Sequence, residues 1–156
     1  MLTQNTILVA VGFGETDRRT LDVAHDLGRR LGTRVVLLHV FEPPIFSYPE
    51  MPMQLEAKMF EELSACARKA LDELAAVEGG LPSILRFGDP AAQILKVIEE
   101  THPALVVMGT HGRRGVERLL LGSVAERVVR QSRAPVLTVH APLEAANAPS
   151  SAAPAA

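Results

Sequence analysis

The chain alternates two hydrophobic patterns. Short apolar runs rich in β-branched residues occupy Thr6–Val11 (TILVAV), Arg34–Val40 (RVVLLHV), Ser83–Phe87 (SILRF), Ala104–Met108 (ALVVM) and Pro135–Val139 (PVLTV). Each is nearly continuous rather than alternating and is bounded by Gly, Pro or charge, the pattern of a strand buried on both faces. Helical spacing fills the intervals. Leu21, Ala24, Leu27 and Leu31 recur three or four apart, as do Met59, Leu63, Cys66, Ala70 and Leu74 in a longer stretch over Leu55–Glu78. A third helix opens at Asp89-Pro90, an N-cap residue followed by proline at the first helical position, and a fourth begins near Ser123.

The order βαβαβαβαβ predicts an α/β fold. Parallel neighbours require crossovers, and right-handed crossovers put helices on both faces of one open, doubly wound, five-stranded sheet. Ligands bind such sheets beyond the carboxyl ends of the strands, where the strand order reverses. The loops to inspect are Gly12–Thr16, Phe41–Gln54, Gly88-Asp89 and Gly109–Leu121. Glu42–Gln54 carries four prolines, which excludes helix and predicts a flap over that edge. Ala141–Ala156 is half alanine with interspersed proline and is predicted to be a disordered tail after a single domain over residues 1–140.

Composition narrows the function classes. With 156 residues, 47% hydrophobic, the chain fills one core. A net charge of −2 gives no global attraction to nucleic acid or anionic membrane. No apolar stretch is long enough to span a bilayer. Met1–Asn5 places no basic residue ahead of the first apolar run, so no signal peptide is expected and a cytoplasmic location is. The lone Cys66 excludes an intrachain disulfide and a multi-cysteine zinc site, and its stripe predicts a small core residue. The five histidines show no metal-ligand spacing. His39, inside a strand, is expected to be packed or hydrogen-bonded there.

The chemistry concentrates in Gly109-Thr110-His111-Gly112 and, after nine residues, Gly122-Ser123. This segment follows a buried strand and leads into a helix. Its glycines let a ligand approach the backbone, and the helix start offers unpaired N–H groups, the positive dipole end and the Ser123 hydroxyl. Residues 109–133 hold six arginines against two glutamates, a local balance of +4 in an acidic protein, which favours an anionic ligand. A solvated arginine face with ordinary turn glycines is the alternative that spacing leaves open. A dinucleotide fingerprint fails because Asp17 stands where Gly12-Phe13-Gly14 needs a third glycine. No Walker A loop precedes any lysine, and Leu121 two residues before Ser123 excludes a nucleophile elbow.

The spacing G-x-x-G, nine residues, G-[S/T] resembles the nucleotide signature of the universal stress protein family, in its ATP-binding subgroup. The resemblance extends over the opening strand, Leu38-His39-Val40, Gly88-Asp89-Pro90 and Ala134–Leu137, about residues 5–140. It implies strand order 3-2-1-4-5, ATP with Mg²⁺ as ligand, a stress-response role and a homodimer through the last strand, Pro135 to His140. It implies that Gly109, Gly112, Gly122 and Ser123 hold phosphates and ribose, with His111 beside the phosphates and Val124 continuing the helix-terminus contact. Val40 would meet adenine through its backbone, and Met108 with Ala10 and Gly12 would wall the base and ribose. One departure stands out. Where the family has V-D-G-S after the first strand, this chain has Val11-Gly12-Phe13-Gly14, with no carboxylate until Glu15. Glu15 and Asp89 are candidates for a general base, and neither is compelled by spacing. Three classes therefore stay open: a nucleotide-binding regulatory protein, a slow ATPase, and a nucleotide-free dimeric interaction protein.

Overall fold

A computed structural model describes residues 5–43, 53–110 and 121–140. The chain runs β1 (Thr6–Val11), α1 (Asp17–Leu31), β2 (Arg34–Phe41), α2 (Met53–Val77), β3 (Ser83–Phe87), α3 (Pro90–Thr101), β4 (Leu105–Gly109), α4 (Ser123–Gln131) and β5 (Val136–Val139). The sheet is wholly parallel with order β3-β2-β1-β4-β5. The order reverses at β1, which pairs with β2 on one side and β4 on the other.

Two cores flank the sheet. Leu21 and Ala24 of α1 and Leu71 and Ala75 of α2 pack on Ile7, Val9 and Val107. Ala91, Ile94 and Val97 of α3 and Ala125 and Val128 of α4 pack on Leu8, Val36 and Val106. Alternate residues of one strand thus enter opposite layers, which is why β1 and β2 read as continuous apolar runs. The edge strands do not share this burial. Most of β3 and β5 is half-buried, and Phe87 and Leu137 are exposed. Their apolar runs resemble those of the central strands, but an edge has a neighbour on one side only.

Two further expectations are corrected. Helix α2 begins at Met53, so Met53 and Gln54 belong to the helix rather than to the proline-rich loop. The rest of that loop, residues 44–52, and the tail, residues 141–156, lie outside the described residues. Cys66 is exposed rather than in the core. At about 1.5 Å per residue α2 is longer than the strands beneath it, and only Leu71 and Ala75 near its C-terminal end are fully covered. Cys66, five residues before Leu71 and nine before Ala75, points away from that face at about 3.6 residues per turn.

The turn into α3 is built from local chemistry. Gly88 takes φ +121, a conformation side-chain-bearing residues rarely adopt, and its N–H donates to the Phe41 carbonyl at 3.1 Å. Asp89 then caps α3, accepting from the Ala92 N–H at 2.8 Å, with Pro90 in the first turn. The same Oδ1 accepts from the Arg127 guanidinium at 2.8 Å, which ties the start of α3 to the middle of α4. Replacing Asp89 with Ala should cost about 1–2 kcal/mol, mostly through the lost cap because the ion pair is half-exposed. Urea unfolding would measure it, and Asp89→Asn should retain most of the stability.

Candidate functional site

The carboxyl ends of β1, β2 and β4 and the start of α4 meet at one edge of the sheet. Ala10 lies between Leu38 of β2 and Met108 of β4 in the ladder. Met108 is buried, and Ala10, Val40, Leu121 and Val124 are half-buried against the same α3–α4 core. Five apolar residues, four of them expected from the sequence and Leu121 not, thus share one layer at the strand ends. Leu121 was legible only as the last of three consecutive leucines, without periodicity to orient it.

Backbone hydrogen bonds fix where α4 begins. The Thr110 N–H donates to the Val139 carbonyl at 2.9 Å, continuing the β4–β5 ladder. The Gly122 N–H donates to the Thr110 carbonyl at 2.7 Å, which joins the end of β4 to the start of α4. Gly122 is the N-cap of α4, with φ −58 and ψ 151. Neither Gly122 nor Gly109, extended within β4, uses the positive φ that glycine permits. The Gly122 N–H is already engaged, so donors for an anion are the first-turn amides from Ser123 onward, which a helix leaves without intrahelical acceptors. Ser123 is exposed at this terminus. His111 and Gly112 lie outside the described residues.

The positive cluster is partly neutralised. Arg127 pairs with Asp89, and Arg130 with Glu126 at 2.8 Å. Asp89 is committed to capping and to Arg127, so it is poorly placed to act as a base; Glu15 is exposed. Among the described residues no group of three His, Cys, Asp or Glu could hold a metal ion, and no helix is long and apolar enough to cross a membrane.

The β1–α1 loop contains a feature the sequence reading missed. The Asp17 carboxylate folds back onto the loop, Oδ1 accepting from the Gly12 N–H at 3.3 Å and Oδ2 from the Gly14 N–H at 3.2 Å. Burial raises its pKa above the ordinary carboxylate value, while the amides of Gly12, Gly14 and Phe13 and the nearby His39 pull it back. The native state therefore holds this proton to higher pH than the unfolded chain, and the group's contribution to stability falls as pH rises through that window. Beneath the loop His39 is buried in β2, its Nδ1 donating to the Val11 carbonyl at 2.8 Å, as expected of a strand histidine. Phe13 packs on His39 with ring centroids 4.4 Å apart and takes φ +55. The available signal was an acidic residue in the first turn of a helix, three residues after Gly14.

The family model "Universal stress protein family" matches residues 4–140. The chain belongs to the universal stress protein family. Universal stress protein MJ0577 of Methanocaldococcus jannaschii is 29% identical over 150 residues, covering 85% of this chain and 93% of that protein. Universal stress protein MJ0531 of the same organism is 33% identical over 122 residues, covering 76% and 72%. The solved structure of MJ0577 superposes with a TM-score of 0.70 at 28% identity, covering 87% of this chain and 95% of that one. Universal stress protein UspA from Lactobacillus plantarum shares the fold with a TM-score of 0.73 at 19% identity, covering 88% and 99%. The observed sheet order and the helices on both faces are those of this universal stress protein fold.

Proposed function

We propose that this universal stress protein binds ATP at the carboxyl edge of its sheet and acts as a cytoplasmic, nucleotide-dependent regulatory protein in a stress response. The observation that carries this reading is the Thr110–Gly122 closure, which sets the N-terminus of α4 beside the ends of β1 and β4. A helix start with free amides, a serine hydroxyl and a positive dipole end suits a polyphosphate. The apolar layer of Ala10, Val40, Met108 and Leu121 suits a purine base nearby. At the level of the fold, a universal stress protein solved in complex with cAMP superposes with a TM-score of 0.60 at 22% identity, covering 88% of this chain and 98% of that one. Mg²⁺ in this reading arrives with the nucleotide, held by its phosphates and by water.

Binding rather than hydrolysis is the proposed activity, because Asp89 is engaged and Glu15 is exposed. The purified protein, acid-quenched and separated by ion exchange, should release adenine nucleotide. Absence of nucleotide together with no calorimetric binding of added ATP would overturn the reading in favour of a nucleotide-free interaction protein, which Gly12 in place of the family aspartate favours. Ser123→Ala removes one hydroxyl donor from an exposed position. It should weaken ATP binding about tenfold, the worth of one hydrogen bond to a charged group, with unchanged thermal stability.

A further inference from the structure

We propose that Asp17 is a specificity-determining carboxylate: as the resident anion of the β1–α1 loop it bars phosphate groups from that half of the crevice and leaves it to a neutral, hydroxyl-bearing part of the ligand. The identity of the ligand rests on the nucleotide reading above; the exclusion of anions does not.

Consecutive backbone N–H groups after a strand form a concavity that ordinarily attracts anions. Here the concavity lies at the exit of β1, the strand where the order reverses, and next to the start of α1. Its Gly12 and Gly14 amides converge on the two oxygens of one side chain, at 3.3 and 3.2 Å. The conformation is held from below: Phe13 occupies a left-handed φ of +55 against the buried His39, whose Nδ1 bonds the last carbonyl of β1. A left-handed phenylalanine is strained and persists where surrounding structure over-determines it. The loop is therefore set around its own carboxylate. Two donors that could otherwise hold a phosphate are satisfied, and a like charge repels a second anion. On the other side of β1, beyond β4, the first turn of α4 carries one acidic side chain, Glu126, and Arg130 neutralises it. The two halves of the crevice thus differ in sign, which fixes the direction in which a nucleotide can lie.

The test begins with anions alone. In ¹⁵N-labelled wild-type protein, inorganic phosphate should leave the Gly12 and Gly14 amide resonances in place. In Asp17→Ala both should shift saturably with phosphate, and also with formate, which replaces the lost carboxylate. Amides that ignore both anions in the variant, or that shift equally in wild type, overturn the proposal. Should Asp17→Ala not fold, Asp17→Asn keeps the shape without the charge. The ratio of ATP to adenosine affinity should then rise about tenfold over wild type, the effect of one nearby like charge; an unchanged ratio overturns it. The wild-type ratio should also climb toward that of the Asn variant as pH falls. Glu15 in the loop and His39 from β2, whose charge bears on Asp17, are present in both proteins, so the Asn variant is the reference against which the wild-type profile is read. A wild type that binds neither ATP nor adenosine overturns the nucleotide reading, and the amide titration still decides the role of Asp17.

Discussion

Gly122→Val should abolish useful ATP binding while leaving the fold in place. Gly122 sits at φ −58 and ψ 151, a backbone conformation open to any residue, so valine meets no conformational barrier there. It makes a poor N-cap, but replacing glycine at that position costs only about 1 kcal/mol. The Gly122 N–H bond to Thr110 and the Glu126 N–H bond to the Gly122 carbonyl both survive the substitution, because they involve the main chain alone. What changes is access. A β-branched side chain stands beside the amides of Ser123 and Val124, where phosphate oxygens would have to approach. Losing one or two charged hydrogen bonds is worth about 3 kcal/mol, so affinity should fall about a hundredfold. Isothermal titration calorimetry measures the loss, and a thermal melt checks the fold. Unchanged affinity would remove the α4 terminus from the site.

Leu137→Lys should turn the homodimer that the family resemblance implies into a monomer. β5 is an edge strand four residues long, and an apolar edge with open N–H and C=O groups is a liability unless covered. Pairing with its own copy about a two-fold axis covers it by the commonest oligomer symmetry. Within the strand, burial increases from Leu137 toward the carboxyl end, which decides which residue to change. Leu137 is 36% exposed, whereas Val139 is 6% exposed and belongs to the core with Val11 and Val107. A lysine at Val139 would unfold the protein and say nothing about assembly. A lysine at Leu137 appears twice across the axis, and facing like charges cost several kcal/mol, enough to weaken the dimer by about a hundredfold. Sedimentation at micromolar concentration should find wild type dimeric and the variant monomeric with an equal melting temperature. A monomeric wild type would refute the assembly.

The sequence determined the layers and the order of elements of this protein. Five β-branched runs separated by helical spacing leave a parallel α/β sheet as the way to bury every run, and Asp89-Pro90 announced a helix start that the structure places there. The glycine spacing from Gly109 to Gly122-Ser123 pointed to one strand end and one helix start, because a close backbone approach needs small residues at fixed intervals. Other properties came only from tertiary contacts. Local pattern could not distinguish the edge strand Val136–Val139 from the central β1, since burial depends on what lies alongside and not on the run itself. Cys66 looked like a core residue because helical spacing reports a stripe but not which side of the helix the sheet covers. Arg127 counted as free positive charge until α3 and α4 came together and Asp89 met it. Asp17 appeared only as the residue that spoiled a glycine fingerprint. The chain reversal at Gly12–Thr16 brings its carboxylate back onto the Gly12 and Gly14 amides. A hydrogen bond depends on distance and direction in space, and neither is written in residue spacing until the backbone has turned.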